Sequence, residues 1–127
     1  MKITIHSKNL EITPAINDYI NKRISHVEKF LGHNPDVVEA AEFSVDIEKT
    51  TNHHREGEIF LTEVKALVRG RNYLVKSQKE DLYQAIDEVK DELVRVIEDN
   101  KERRTSLIRR GGAKLKSMLR GLSGGSK

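Results

Sequence analysis

Lys79, Lys90 and Lys101 stand eleven residues apart, close to three whole turns, so a helix through this stretch sets them on one face with Tyr83 between the first two. A second set, Lys22, His26 and Lys29, follows four- and three-residue steps, with Arg23 beside it. Amines repeated along a helix suit an anionic partner. Asp87, Glu88, Asp91 and Glu92 lie close by in sequence, however, so the same lysines fit an ordinary solvated face equally well.

Other chemistry finds little support. His53-His54 is the nearest approach to a metal site, but adjacent histidines chelate one ion poorly, and no spacing such as H-E-x-x-H accompanies them. Gly57 and Gly70 are isolated, so there is no glycine-rich phosphate loop. Asp81 reads as a helix-start residue and Asp87 as a surface residue, not as acid and base partners. Neither an enzyme, a cofactor nor a metal is expected. What remains is a cationic surface edged by Lys22, Arg23, Lys29, Lys76, Lys79, Lys90, Arg95 and Lys101, of the kind that holds structured RNA through its backbone and shape.

The elements that must carry these residues can be read from periodicity. Ser77 with Glu80 three residues on has the form of a capping box. Leu82, Ala85, Ile86, Val89, Leu93, Val96 and Ile97 then draw one apolar stripe, predicting a long helix over Ser77–Arg104. Near the start, Ile3 and Ile5 alternate with polar neighbours in a strand over Lys2–Lys8. Thr13 caps a helix with Pro14 at its first position, striped by Ile16, Ile20, Ile24, Val27 and Leu31 and ended by Gly32. Val37–Lys49 reads as a strand with Ala41, Phe43, Val45 and Ile47 inward. Glu58–Arg69 follows, with Phe60, Val64, Ala66 and Val68 inward, and Tyr73–Lys76 is a short last strand.

The order is β-α-β-β-β-α, an α+β fold. A helical crossover makes the first strand pair parallel, and two short connections make antiparallel hairpins. Both helices pack on one face of a four-stranded mixed sheet, a layout like that of double-stranded-RNA-binding domains. The other face, with Glu42, Asp46, Glu48 and Glu63, is expected to be acidic, poor in apolar groups and wet.

With 127 residues, 36% hydrophobic and 34% charged, the chain suits one soluble domain with a modest core. It has no cysteine, and neither a secretory signal nor a membrane-spanning run, so a cytoplasmic location is expected. Charge is unevenly spread: residues 1–100 hold 14 Lys+Arg against 19 Asp+Glu, and residues 101–127 hold 9 against 1. We expect a folded domain over 1–104 and a flexible basic tail over 105–127, with Gly111-Gly112 interrupting helix after Arg110.

Asp81-Leu82-Tyr83-Gln84-Ala85-Ile86-Asp87, together with His54-Arg55-Glu56-Gly57-Glu58 before the third strand, resembles the ribosome hibernation promoting factors. That family includes the ribosome-associated inhibitor, or protein Y, formerly labelled a sigma factor modulation protein. The resemblance covers residues 1 to about 104. It implies a translation inhibitor that occupies the messenger and tRNA channel of the small ribosomal subunit and keeps ribosomes idle in stationary phase or stress. It further implies a short form lacking the second, dimer-forming domain of long members. Lys22, Arg23 and Lys29 on the first helix, and Lys76, Lys79, Lys90 and Arg95 on the second, match the family's basic positions. Tyr83 and Asp87 belong to its signature. With Lys101 and Arg104, and with Tyr83, these cations form the expected rRNA-binding set. The small subunit and its rRNA are the implied partners, with no DNA, no membrane and a monomer in solution. The competing reading is a protein-interaction module that engages a transcription factor or other partner through the acidic sheet face.

Overall fold

The computed structural model describes residues 1–51 and 57–125, with side chains placed for 1–50 and 57–103. His53-His54 and most of the loop motif before the third strand therefore lie outside the described residues. The chain divides into two compact units, Met1–Ile97 and Glu98–Lys127.

In the first unit the elements run β1 (Lys2–Lys8), α1 (Pro14–Ser25), a 3-10 stretch (His26–Phe30), α2 (Pro35–Ala40), β2 (Glu42–Thr51), β3 (Glu58–Val68), β4 (Arg71–Lys79) and the start of α3 (Leu82–Gly125). The sheet order is β1-β2-β3-β4. β1 lies parallel to β2, with Ile3 opposite Phe43 and Ile5 opposite Val45, and both later pairs are antiparallel. The expected topology is present.

Thr13 starts α1 as anticipated, its Oγ1 accepting from Ile16 N at 3.2 Å, with Pro14 in the first turn. All five residues of the α1 stripe are buried. They meet Phe43, Val45, Ile47, Val64, Ala66, Val68 and Val75 from the sheet and Leu82, Ile86, Val89, Leu93 and Ile97 from α3 in one core. The α-helix tightens at Ser25 into the 3-10 stretch before reaching Gly32. Gly32 sits at φ +93°, and a Cβ there would meet the Arg69 guanidinium at 2.6 Å. Arg69 and Gly70, at φ 54° and 74°, form the tight turn between β3 and β4. From that turn Arg69 Nη2 donates to the Leu31 carbonyl at 3.0 Å.

Three sequence expectations are corrected. Residues 37–40 are helical, not extended: Asn34 Oδ1 accepts from Asp36 N at 2.9 Å and Pro35 opens the turn, so the cap outweighs the β-branched valines. Ser77 does not cap a helix. β4 pairs through Lys79 with Phe60, and Ser77 is a buried strand residue opposite Thr62. Asp81 is the cap instead, its Oδ1 accepting from Tyr83 N at 2.8 Å and Gln84 N at 3.1 Å. Finally, in the second unit α3 continues past Gly111 and Gly112 to Gly125. Glycine costs a helix about 1 kcal/mol relative to alanine but keeps its N–H, so it weakens the ladder where proline would cut it.

The inward face of β3 also includes Thr62, which the alternation places beside Phe60 and Val64. It is 1% exposed, and its Oγ1 has no hydrogen-bond partner among the described residues. A buried hydroxyl without a partner costs about 1–3 kcal/mol. The near-isosteric Thr62→Val is therefore expected to raise stability by about 1 kcal/mol, read as a higher denaturant midpoint at unchanged slope. A lower midpoint would show that the hydroxyl is satisfied.

Candidate nucleic-acid interface

α1 and α3 lie side by side on the sheet and run parallel. Tyr19 meets Tyr83 edge-to-face, with centroids 4.7 Å apart, and one turn further along both helices Arg23 meets Asp87 at 3.0 Å. The Tyr19 hydroxyl donates to the same Asp87 Oδ1 at 2.6 Å. That donated bond is the main reason its phenol loses a proton less readily than usual, with burial adding to it. The Arg23 guanidinium lies 5.1 Å from the Tyr19 ring centroid. Asp87 is thus a joint between the helices, not the solvated surface acid its pattern suggested.

A turn beyond this joint the cations gather. Lys29 Nζ is 3.3 Å from His26 Nε2. The ammonium of Lys29 is the largest cause holding the His26 imidazole below its ordinary pKa; loss of some hydration, then Lys90, then Arg23 add to it. Acidification through the ordinary histidine range therefore disfavours the free folded protein, because its imidazole resists the proton that an unfolded chain accepts.

The candidate residues do not all share this place. Arg23 in α1, Lys29 in the 3-10 stretch and Lys90 in α3 all act on His26, and exposed Lys22 lies in the last turn of α1. Tyr83 is 42% exposed at the groove's head. Lys79 belongs to β4, not to a helix, and pairs with Glu88 Oε2 at 2.8 Å, while Ser77 Oγ donates to Glu88 Oε1 at 3.1 Å. The Lys79 bond is the first cause of the lowered Glu88 pKa. Arg95 is exposed and holds Glu92 one turn back on α3. Lys76 points the other way: Val75 and Ser77 face the core, so Lys76 projects from the open sheet face and meets Glu63 at 3.6 Å. Lys101 lies in the second unit, and the Arg104 side chain is outside the described residues.

The open face differs from its expected character. His6, Asp46, Glu63 and Lys76 form one cross-strand row. Two acids of this face have lysine partners: Glu63 with Lys76 and Lys65, and Glu48 with Lys8 at 3.9 Å. It is also less polar, since Leu61, Leu67 and a 54% exposed Leu74 lie on it. Spacing already groups His26 with Lys22 and Lys29, though the expected rRNA-binding set leaves it out. Tyr19 is also left out, and lies one turn before Arg23 on α1.

The sequence model described as sigma 54 modulation protein / S30EA ribosomal protein matches residues 3–105. The chain belongs to that family. Among its curated relatives, the ribosome hibernation promotion factor of Bacillus subtilis is 25% identical over 96% of this chain, which spans 60% of that protein's length. The ribosome hibernation promoting factor of Pseudomonas putida is 24% identical over 90% of this chain and 100% of its own length. The fold is that of the protein Y N-terminal domain from Thermus thermophilus, with a TM-score of 0.57 at 24% identity, covering 76% of this chain and 96% of that one. A ribosomal subunit interface protein from Coxiella burnetii superposes with a TM-score of 0.62 at 14% identity over 80% of this chain and 99% of that one. Among the described residues no helix is long and apolar enough to cross a membrane, and no histidine–carboxylate group is arranged to hold a metal.

Proposed function

We propose that the chain is a ribosome-binding translation inhibitor that seats its helical face on the rRNA of the small subunit, in the channel otherwise used by messenger RNA and tRNA, and keeps ribosomes inactive in stationary phase or stress. The observation that supports this reading is the gathering of Arg23, Lys29 and Lys90 about His26, with exposed Lys22 in the last turn of α1. Relatives named for ribosome hibernation support the same direction. In this role the protein is a monomeric, cytoplasmic binder without catalysis, and it addresses neither DNA nor membranes. The folded domain ends near residue 104. The stretch from 105 to 127, rich in Lys and Arg, lies along rRNA beside the channel. The competing use of the open sheet face loses ground because Glu48 and Glu63 are already matched by lysines.

The test is co-sedimentation with small ribosomal subunits across a salt series. Neutralising about five to eight phosphates predicts that log affinity falls with log salt by somewhat under one unit per contact. A flat response between low and physiological salt would remove the phosphate reading.

A further inference from the structure

We propose that His26, whose Nε2 lies 3.3 Å from the Lys29 ammonium, is a direct ligand of one RNA phosphate and takes up a proton when that phosphate binds. This deepens the proposed function and rests on the groove being the RNA-facing surface. Most of the candidate cations already have a carboxylate: Arg23 sits against Asp87, Lys79 against Glu88, Lys90 against Asp91 and Arg95 against Glu92. His26 differs. The hydrogen bond it makes is to the ammonium of Lys29, at 3.3 Å from Nε2, so that nitrogen must accept and the imidazole stays neutral while Lys29 keeps its charge.

The charged groups facing His26 come from every element around it. Arg23 belongs to α1, Lys29 to the 3-10 stretch and Lys90 to α3. The nearby acids are committed elsewhere, Asp87 to Arg23 and Tyr19 and Asp91 to Lys90. An exposed imidazole beside the Lys29 ammonium, influenced by Lys90 and Arg23 and without a carboxylate of its own among the described residues, suits a phosphate. A phosphodiester binding there draws off Lys29 by ion pairing and frees Nε2. The imidazole then gains a proton from solvent and donates both N–H groups, one of them to a phosphate oxygen. Free protein and bound protein thus differ by one proton at this residue. Linkage requires binding to tighten as pH falls, by at most about tenfold per pH unit.

Two measurements on the full chain test this. In the first, the His26 ring resonances, assigned with His26→Gln, are titrated by NMR with and without a short uridine oligonucleotide at low salt. The oligonucleotide is expected to raise the imidazole pKa, and an unmoved pKa overturns the proposal. In the second, binding to small subunits is compared at pH 6 and pH 7.5. The wild type is expected to bind several-fold more tightly at the lower pH, and His26→Gln to lose most of that gain, leaving the other histidines as a common background. Equal pH dependence in the two proteins overturns the proposal even if both bind well. If the oligonucleotide raises the imidazole pKa but subunits are bound at neither pH, the phosphate seat stands and the ribosomal reading falls.

Discussion

Reversing Lys22 and Lys29 to glutamate together is expected to weaken binding to small subunits about a hundredfold at physiological salt and to reduce the slope of log affinity against log salt by about two. Both side chains are exposed, and neither has a carboxylate partner among the described residues. The change therefore removes two phosphate contacts and adds repulsion without uncovering a buried group. Lys22 lies in the last turn of α1, where a cation favours the negative helix end, so its reversal costs the fold up to about 1 kcal/mol. The companion measurement is Lys76→Glu, which changes the same charge on the open face of the sheet. It should leave the affinity within about threefold of wild type, as expected of a charge outside the contact. Equal losses from the helical pair and from Lys76 would show that the helices do not form the binding surface.

Ile86→Asp is expected to abolish folding. Ile86 is 1% exposed on α3, in the middle of the core formed with α1 and the inward sheet face. The substitution removes most of a buried aliphatic side chain, a loss of about 2–5 kcal/mol by comparison with isoleucine-to-alanine changes. It also buries a carboxylate with no partner, or forces that carboxylate to stay protonated. Against a total stability of about 5–15 kcal/mol for a domain, the two losses together exceed a comfortable margin. Far-ultraviolet circular dichroism without a cooperative denaturant transition is the expected readout. A transition near the wild-type midpoint would mean that α3 does not use this face to pack.

The apolar framework was legible because its signals are long and redundant. Ile16, Ile20, Ile24, Val27 and Leu31 repeat over four turns, and Phe43, Val45 and Ile47 alternate cleanly, so a single misread residue could not change the result. What escaped was decided by short-range competition. Ser77 with Glu80 satisfies the pattern of a capping box, yet Asp81 offers a better cap and β4 gains pairing by extending to Lys79. That extension settles which face Lys76 occupies, because parity along a strand inverts with each residue. Tyr73-Leu74-Val75 does not alternate, so the sequence alone left the parity open. The joint of Tyr19, Arg23 and Asp87 is long-range in sequence and depends on how α1 and α3 are registered on the sheet, which no local spacing reports.

The hydrogen bond from Arg69 to the Leu31 carbonyl has a consequence for the order of folding. It joins the tip of one hairpin to the end of a helical segment, 38 residues away. Each of those pieces is local: helical turns form on a submicrosecond scale and a hairpin in about 1–10 μs. Neither alone supplies both donor and acceptor. A barrier-top species that contains this bond must therefore already hold the hairpin docked at the end of that helical segment. One that lacks it can consist of independent fragments. This single guanidinium thus acts as a reporter of docking, separate from the formation of either element, and its sensitivity to substitution during refolding would time the assembly of the groove's supporting scaffold.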